Sequence, residues 1–397
     1  MVAGHLQEQR GMYYMVLSYV DPDTKKRKQP WIPTGLPVKG NRRKAEKLLS
    51  ETRKTFDKQE YSLQQGEISE HMYFADFLEA WLKIVKPTVA VTTFSSYQSI
   101  TRRRIIPYFR KTGVTLDMLQ ARHIQSFYLQ ELDRVSPTTV IRYHAVIHRA
   151  LKYAVKIDLI DFNPADKVER PKKVRYIAEY YNLEELQQFF EACRGHRMAL
   201  IFQMTAFYGF RRSEVLGLKW DSIDFDRNTI TIKHILTQAE VDGKRSIIEA
   251  DRAKTQSSVR SMPLVSDFKE KLLALKEQQE HNKLVCGNCY NKQYSDYVFV
   301  DAMGNILKPA TVSENFKEII HKNGLKPIRF HDLRHSCASL MLANGIPMKQ
   351  IQEWLGHSDI STTSNIYAHL DFTSKINSAT TMENVLKFPE CSANAGW

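Results

Sequence analysis

The sequence predicts a multidomain protein that is mainly α-helical and carries small β-sheets. The chain has 397 residues, its first part alternates like β-strands, and its middle part has helical apolar spacing. The N-terminal part, which begins with the strand-like residues, ends near Asp57, and the helical part runs from Tyr73 to about Asn163. We therefore expect three parts: a sheet–helix module with a linker at 1–66, a helical domain at 67–170, and a mixed domain with a C-terminal tail at 171–397.

The N-terminal module is predicted to contain two strands followed by one helix. The strands are Met12 to Val20 and Lys25 to Pro33, and the helix runs from Asn41 to about Asp57. Because lysine and arginine are concentrated in the second strand and at the helix start, we expect the module to bind DNA. The alternative is a basic, solvated appendage. The candidate DNA-binding residues are Lys25, Lys26, Arg27, Lys28, Arg42 and Arg43.

The second domain is predicted to be a four-helix unit. Its helices lie around Phe74 to Leu82, Thr92 to Tyr108, Ala121 to Leu132, and Pro137 to Lys156. Aromatic residues at helical spacing are more often core residues than base-stacking ones, so the basic side of the unit is the candidate DNA face. The candidate contacts are Arg102, Arg103 and Arg104, followed by Lys172 and Lys173 in a basic linker.

Charge and hydropathy limit the class of partner. The formal net charge of +13 implies an anionic partner, either nucleic acid or a membrane surface. No apolar run approaches the roughly 18 residues of a membrane-spanning helix, and the N-terminus has no apolar signal core. These features predict a cytoplasmic protein whose partner is nucleic acid.

The cysteines argue against a disulfide framework. There are five, an odd number, and no secretory signal precedes them. Cys286 and Cys289 form a CxxC motif without a second pair nearby. This could be half a metal site or a redox pair, but a turn in a surface loop is favoured.

The segment His331 to Leu370 carries a group of reactive side chains at predicted helix ends. One helix is predicted from Asp332 to Ala343, a second begins at Pro347 and stops at Gly356, and Ser361 caps a third. An arginine and a histidine in the first turn of a helix can bind an anion together with its free N–H groups. The residues concerned are His331 and Arg334 in the first helix, His357 just past the second, and Tyr367 in the third.

Two upstream segments add further basic groups. In Ala206 to Trp220, Gly209 interrupts the chain and a helix starts near Ser213, so Arg211 projects from a helix start. The segment Ala253 to Leu264 alternates like the second strand of a hairpin and contains Lys254.

These segments together resemble the catalytic domain of the tyrosine recombinases, the phage and conjugative-transposon integrases. The family pattern is G-x-R-x-x-E, a hairpin lysine, H-x-L-R-H, L-G-H, and then a tyrosine. Every part is present, in order: Gly209 to Glu214, Lys254, His331 to His335, Leu355 to His357, and Tyr367. The resemblance implies an arm-binding domain, a core-binding domain and an α+β catalytic domain. It also implies a 3′-phosphotyrosine intermediate without ATP, metal or other cofactor.

The resemblance assigns a role to each residue of the set. Tyr367 is the nucleophile, and Arg211 and Arg334 clamp the phosphate with planar, permanently charged groups. Lys254 protonates the leaving 5′ oxygen, although Lys233, Lys244 or Arg245 could be mistaken for it. The remaining roles are His331 as general base, His357 as a donor to the phosphate, and Glu214 and His335 in support.

The expected function is site-specific recombination of DNA, most simply integration and excision of a mobile element. The implied partners are duplex attachment sites with core and arm sequences, a homo-tetramer assembled on DNA, and an excisionase or DNA-bending accessory protein. The alternatives are a resolvase, which commonly lacks the N-terminal module, a non-catalytic DNA-binding regulator, and a type IB topoisomerase. The apolar tail after Tyr367 is expected to dock on a neighbouring subunit, with packing on its own domain left open.

Overall fold

The computed structural model describes most of the chain. The described residues are 3–9, 11–20, 27–29, 31–55, 71–174, 179–251 and 260–356. The chain divides into two compact units, Met1–Val89 with Ser96–Lys173, and Ala90–Ser95 with Val174–Trp397. The boundaries expected at 66/67 and 170/171 stay predictions. In the described part of the chain, no helix is long and apolar enough to span a bilayer.

The N-terminal residues form a four-stranded antiparallel sheet packed against one helix. Strand β2 pairs with each of the other three strands, and it buries Met15 and Leu17. The elements are β1 (Ala3–Gln9), β2 (Met12–Val20), β3 (Arg27–Lys28), β4 (Trp31–Pro37) and α1 (Arg42–Thr55). The predicted strand Met12 to Val20 and the predicted helix are confirmed.

The predicted second strand, Lys25 to Pro33, is wrong as a single element. It is two strands, β3 and β4, and the second continues to Pro37. The hydroxyl of Thr34 donates to the carbonyl of Tyr13 at 2.7 Å and adds a link between β4 and β2.

The helical part of the chain from Phe74 to Lys156 follows the predicted pattern with one exception. The helices are α2 (Phe74–Val85), α3 (Val91–Ile100), α4 (Ile106–Thr112), α5 (Ala121–Leu132) and α6 (Pro137–Lys156). The single helix predicted from Thr92 to Tyr108 is interrupted by a π-helical turn at Thr101–Ile105. Pro107 cannot donate the usual bond to the carbonyl four residues earlier, so the helix widens before it.

The second unit combines seven α-helices with two small antiparallel sheets in its described residues. Its helices are α7 (Leu183–Ala192), α8 (Ala199–Tyr208), α9 (Arg212–Leu216), α10 (Ser266–Cys286), α11 (Pro309–Lys322), α12 (Asp332–Ala343) and α13 (Met348–Leu355). One sheet has the order β5–β6–β9, and β7 pairs with β8 in the other. The strands are β5 (Ile223–Asp224), β6 (Thr229–Ile232), β7 (His234–Val241), β8 (Lys244–Asp251) and β9 (Arg260–Pro263).

Local helix signals in this unit were predicted correctly. Asn182 caps α7, because its side chain accepts the Glu185 N–H at 2.8 Å while Glu185 bonds back to the Asn182 N–H. The predicted helix Asp332 to Ala343 is confirmed as α12. The second predicted helix begins directly after Pro347 and ends before Gly356, as expected. The third, capped by Ser361, lies outside the described residues.

The predicted strand pairing around Lys254 is wrong in its described part. The hairpin consists of β7 and β8, with Asp242 and Gly243 at its turn, both at positive φ. Strand β9, the described end of the segment Ala253 to Leu264, pairs instead with β6. Lys233 lies between β6 and β7 and not on a strand, with its amino group 3.0 Å from a carboxylate oxygen of Asp221.

Candidate functional site

The start of α9 is positioned by a glycine that cannot be replaced without a clash. Helix α8 ends at Gly209, which has a left-handed φ of 63°. A Cβ at this position would lie 2.3 Å from the Leu355 side chain of α13. The close approach of the two chain segments places Arg211 at the N-cap of α9, beside the end of α13.

Arg334 joins three parts of the catalytic unit from a buried position. Its side chain is only 2% exposed. Its Nη1 donates to the carbonyl of Gly209 at 2.6 Å, and its Nη2 donates to the carbonyl of Leu355 at 2.7 Å. Burial, followed by the like charge of Arg211, lowers the pKa of Arg334 to about 9. The guanidinium therefore stays protonated at neutral pH.

Arg211 is held at the same place but remains partly accessible. Its Nη2 donates to the carbonyl of Gly356 at 3.2 Å, and its Nη1 lies 2.7 Å from Glu214 Oε1. The side chain keeps 30% of its surface exposed. The two arginines thus converge on the C-terminal carbonyls of α13, and Arg211 presents the accessible face.

Glu214 is the buried carboxylate that organises this cluster. It accepts the Arg211 N–H at 2.9 Å, which caps α9, in addition to the side-chain bond. A second arginine, Arg260, donates to both of its oxygens. Burial alone would raise the pKa of Glu214, but Arg260 and Arg211 hold it at about 2. These contacts agree with the predicted supporting role of Glu214.

His331 and His335 lie together at the start of α12. His331 precedes the helix and is exposed, and its ring is perpendicular to that of His335 at a centroid distance of 5.4 Å. Crowding by protein atoms, followed by the charge of Arg334, lowers the pKa of His331. Burial lowers the pKa of His335 to about 4. Both imidazoles are therefore neutral at neutral pH in the DNA-free protein.

Three residues of the predicted set lie outside the described residues. They are Lys254, His357 and Tyr367. Gly356 is the last described residue, and its carbonyl accepts a hydrogen bond from Arg211. His357 is the next residue in the sequence, so the chain reaches the predicted L-G-H histidine directly from the arginine cluster.

The predicted DNA contacts of the first unit are surface residues wherever their side chains are described. Lys25 and Lys26 lie outside the described residues, and Lys28 is placed on β3 by its backbone. Arg27 donates to the Ser18 hydroxyl at 2.8 Å, and Arg102 pairs with Glu79 at 3.1 Å. The exposed members are Arg27, Arg42, Arg43, Arg102, Arg103, Arg104, Lys172 and Lys173.

The CxxC motif lies at the C-terminal end of α10. Cys286 is the last residue of α10, and Gly287–Cys289 form a short 3-10 turn. Within the described ranges, no group of three or more His, Cys, Asp or Glu side chains could hold a metal ion. The local structure agrees with the favoured interpretation, a turn.

Sequence reasoning missed Arg260, which forms part of the cluster. The signal was available, because Arg260, Met262 and Leu264 alternate along one strand face. Met262 and Leu264 are buried, and the same alternation places Arg260 on the inward face of the strand. A buried arginine requires an anionic or hydrogen-bonding partner, and Glu214 supplies it.

Comparisons with known proteins identify the family. The Phage integrase family model matches residues 179–374, and the model "Phage integrase, N-terminal SAM-like domain" matches residues 73–132. The chain belongs to the phage integrase family, the tyrosine recombinases, which confirms the resemblance drawn from the motifs.

Curated relatives cover most of the chain. A "Tyrosine recombinase XerC-like" protein of Caldanaerobacter subterraneus subsp. tengcongensis is 28% identical over 323 residues, covering 78% of this chain and 82% of that protein. The ICEBs1 integrase of Bacillus subtilis is 25% identical over 340 residues, covering 84% and 88%.

Solved structures share the fold. The Tn1549 transposon integrase, in complex with a circular intermediate DNA, matches with a TM-score of 0.63 at 19% identity, covering 78% of this chain and 99% of that one. A lambda integrase dimer bound to a COC′ core site matches with a TM-score of 0.52 at 16% identity, covering 91% and 93%. The predicted fold class, mainly helical with small sheets, is confirmed.

Proposed function

We propose that this protein is a site-specific DNA recombinase that integrates and excises a mobile genetic element through a 3′-phosphotyrosine intermediate. The observation that carries the proposal is the convergence of Arg211 and Arg334 on the end of α13, in a chain that belongs to the phage integrase family. His331 lies at the start of the same helix that carries Arg334. This arrangement suits the binding of a phosphodiester and the stabilisation of its negative charge.

The cleavage step is a transesterification that needs no external energy source. The phenolic oxygen of Tyr367 attacks the phosphorus, and the bond between phosphorus and the 5′ oxygen breaks. The tyrosine proton goes to His331, and Lys254 donates a proton to the leaving 5′ oxygen. The phosphodiester is exchanged for a phosphotyrosine ester, so a 5′-hydroxyl from a second strand can reverse the reaction and complete exchange.

The arginines stabilise the transition state because they are fixed before DNA binds. Each guanidinium is held by backbone carbonyls or by Glu214, so little reorganisation is needed when charge develops on the phosphate oxygens. Arg211 keeps accessible surface for this contact. We propose that His357, directly after Gly356, donates to the same phosphate.

The proposed partner is duplex DNA carrying core and arm sequences. The net charge of +13 and the exposed basic residues of the first unit support this partner. The Tn1549 integrase was solved with a circular intermediate DNA, and a lambda integrase tetramer with a Holliday junction. By analogy we propose a homo-tetramer on paired sites, assisted by an excisionase or a DNA-bending protein.

The test is strand exchange between two differently marked duplexes that carry the element's attachment sites. A recombinase produces joint products that contain both marks. A type IB topoisomerase would relax supercoils without exchanging partners, and a DNA-binding regulator would form no covalent complex. Absence of both covalent complex and exchange on the correct sites would refute the proposal.

Cleavage is expected to depend on pH through His331. Its pKa lies below the ordinary value of 6.5, so the neutral, proton-accepting form persists to lower pH. The rate at limiting DNA reports the free enzyme, and it should fall on the acid side with a midpoint below 6.5. The measurement is suicide-substrate cleavage between about pH 5 and pH 8. A midpoint above 6.5, or the same acid limb in His331→Gln, would contradict the role of His331.

Cleavage is expected to proceed at an unchanged rate in EDTA. The positive charge at the phosphate comes from Arg211 and Arg334, and the buried carboxylate at the site, Glu214, is already paired with two arginines. The assay compares strand cleavage with EDTA and with Mg²⁺, scored separately from DNA condensation or synapsis. Cleavage that stops on chelation and returns with Mg²⁺ would contradict the mechanism.

Removal of residues 1–66 is expected to spare cleavage at the core site and to weaken recombination that depends on arm sites. The removed residues include the β1–β4 sheet and α1, and they exclude the whole catalytic cluster. The measurement is a footprint on a long attachment site together with cleavage of a short core duplex. An unchanged footprint on the long site would show that this module has no separate arm-binding role.

A further inference from the structure

Arg211 and Arg334 together are called the phosphate clamp. We propose that Arg260 is a positioning residue for this clamp and that it acts on Arg211 through Glu214. The proposal deepens the proposed function and rests on it, because the clamp matters only if the protein cleaves DNA. Arg260 lies on β9, the strand that follows the segment containing Lys254.

The carboxylate of Glu214 is shared evenly between two arginines. Its Oε1 accepts from Arg211 Nη1 at 2.7 Å and from Arg260 Nη1 at 3.3 Å. Its Oε2 accepts from the Arg211 backbone N–H at 2.9 Å and from Arg260 Nη2 at 2.9 Å. Because each oxygen carries one bond from each arginine, Arg260 fixes the plane of the carboxylate, and the carboxylate in turn fixes Arg211.

Arg260 also supports the end of α13. A Cβ on Gly356 would lie 2.9 Å from Arg260 Nη1 and 3.2 Å from Arg260 Cδ, so the arginine packs directly against this glycine. The carbonyl of Gly356 accepts from Arg211 at 3.2 Å, and His357 follows in sequence. One buried side chain therefore contacts both the partner of Arg211 and the residue from which the L-G-H histidine emerges.

The charges of the cluster are arranged for an anion. Three arginines, Arg211, Arg260 and Arg334, surround the one carboxylate of Glu214, and the like charges of Arg211 and Arg260 contribute to the lowered pKa of Arg334. Arg260 is 10% exposed at its side chain, against 30% for Arg211. Arg260 therefore neutralises the Glu214 carboxylate from the less accessible side, and the more exposed Arg211 carries the remaining positive charge at the surface.

Substitution of Arg260 should impair the clamp without removing it. In Arg260→Gln the carboxylate loses a charged partner and is free to rotate, which displaces Arg211. A displacement of this kind costs on the order of 100-fold in cleavage rate. Arg260→Lys keeps the charge but cannot donate to both oxygens, so its rate should fall between those of the wild type and Arg260→Gln.

The experiment measures single-turnover cleavage of nicked suicide duplexes that carry either a normal scissile phosphate or a methylphosphonate there. A methylphosphonate has one non-bridging oxygen replaced by a methyl group, so it is neutral. Its cleavage therefore depends less on the stabilisation of negative charge by the phosphate clamp. We expect the deficit of Arg260→Gln and Arg260→Lys to be large on the phosphate and several-fold smaller on the methylphosphonate. Arg227→Gln, an exposed arginine on the loop between β5 and β6, is the matched control and should cleave both substrates normally.

A double-mutant cycle adds a second criterion. If Arg260 acts through Arg211, the double variant Arg211→Ala/Arg260→Gln should cleave no more slowly than Arg211→Ala. Equal deficits on both substrates would show that Arg260 only stabilises the fold, and additive losses in the cycle would show that it acts independently of Arg211. Either result would overturn the proposal. Wild-type protein that forms no covalent complex would refute the proposed function itself, a result distinct from either outcome for Arg260.

Discussion

Tyr367→Phe is expected to abolish covalent attachment to DNA and to leave non-covalent binding nearly intact. The substitution removes only the phenolic oxygen, so the helix predicted around Tyr367 keeps its apolar ring. Tyrosine has an ordinary pKa of about 10 and must lose its proton during attack, and phenylalanine offers no group that could replace the nucleophile. The measurement is a nicked suicide substrate followed by a denaturing gel, with a binding assay on the same duplex.

The control for this experiment is another tyrosine of the same unit. Tyr208 is fully buried, and its hydroxyl donates to the carbonyl of Pro263 at 2.9 Å, so it is poorly placed to attack DNA. Tyr180 is only half-buried and is the better alternative nucleophile. Tyr180→Phe should keep wild-type covalent attachment. A covalent complex in Tyr367→Phe that disappears in the double variant would assign the reaction to Tyr180.

Local signals in the sequence predicted much of the fold that supports the site. Asn182 starts a helix through its side-chain cap, Pro137 starts one at its first position, and Gly209 and Gly356 end helices in the left-handed conformation. Each of these boundaries is confirmed. Such signals depend on a few neighbouring residues, so they can be interpreted without knowledge of the tertiary structure.

Non-local features were predicted less well. The pairing of β9 with β6 depends on which strands meet after the chain returns, and alternation in the segment Ala253 to Leu264 does not specify the partner. The same lack of tertiary information hid the contact between Arg260 and Glu214, which are separated by 46 residues. The motif predicted Arg211 and Arg334 as a pair, but not that backbone carbonyls of α8 and α13 hold Arg334.

The burial of Arg334 changes how its role is understood. The motif suggested a side chain that simply grips phosphate, whereas the structure gives it two bonds to protein carbonyls and 2% exposure. An arginine has five N–H donors, so donors remain for an anion after those two bonds are made. Arg334 is therefore both the link between α8 and α13 and a source of positive charge beneath Arg211.

Arg334→Lys is expected to lower the cleavage rate by about 100-fold or more, since a fixed donor to the transition state is lost. A lysine has one nitrogen at the end of its chain and cannot reach the carbonyls of Gly209 and Leu355 together. One buried carbonyl is left unpaired, which costs about 1–3 kcal/mol of stability. The measurements are single-turnover cleavage and the thermal midpoint of unfolding.

The control is Arg194→Lys, a 78% exposed arginine at the end of α7, which should change neither quantity. Loss of stability with near-wild-type cleavage would show that Arg334 is structural, whereas loss of cleavage at a temperature where the variant is fully folded would show that its charge serves the reaction.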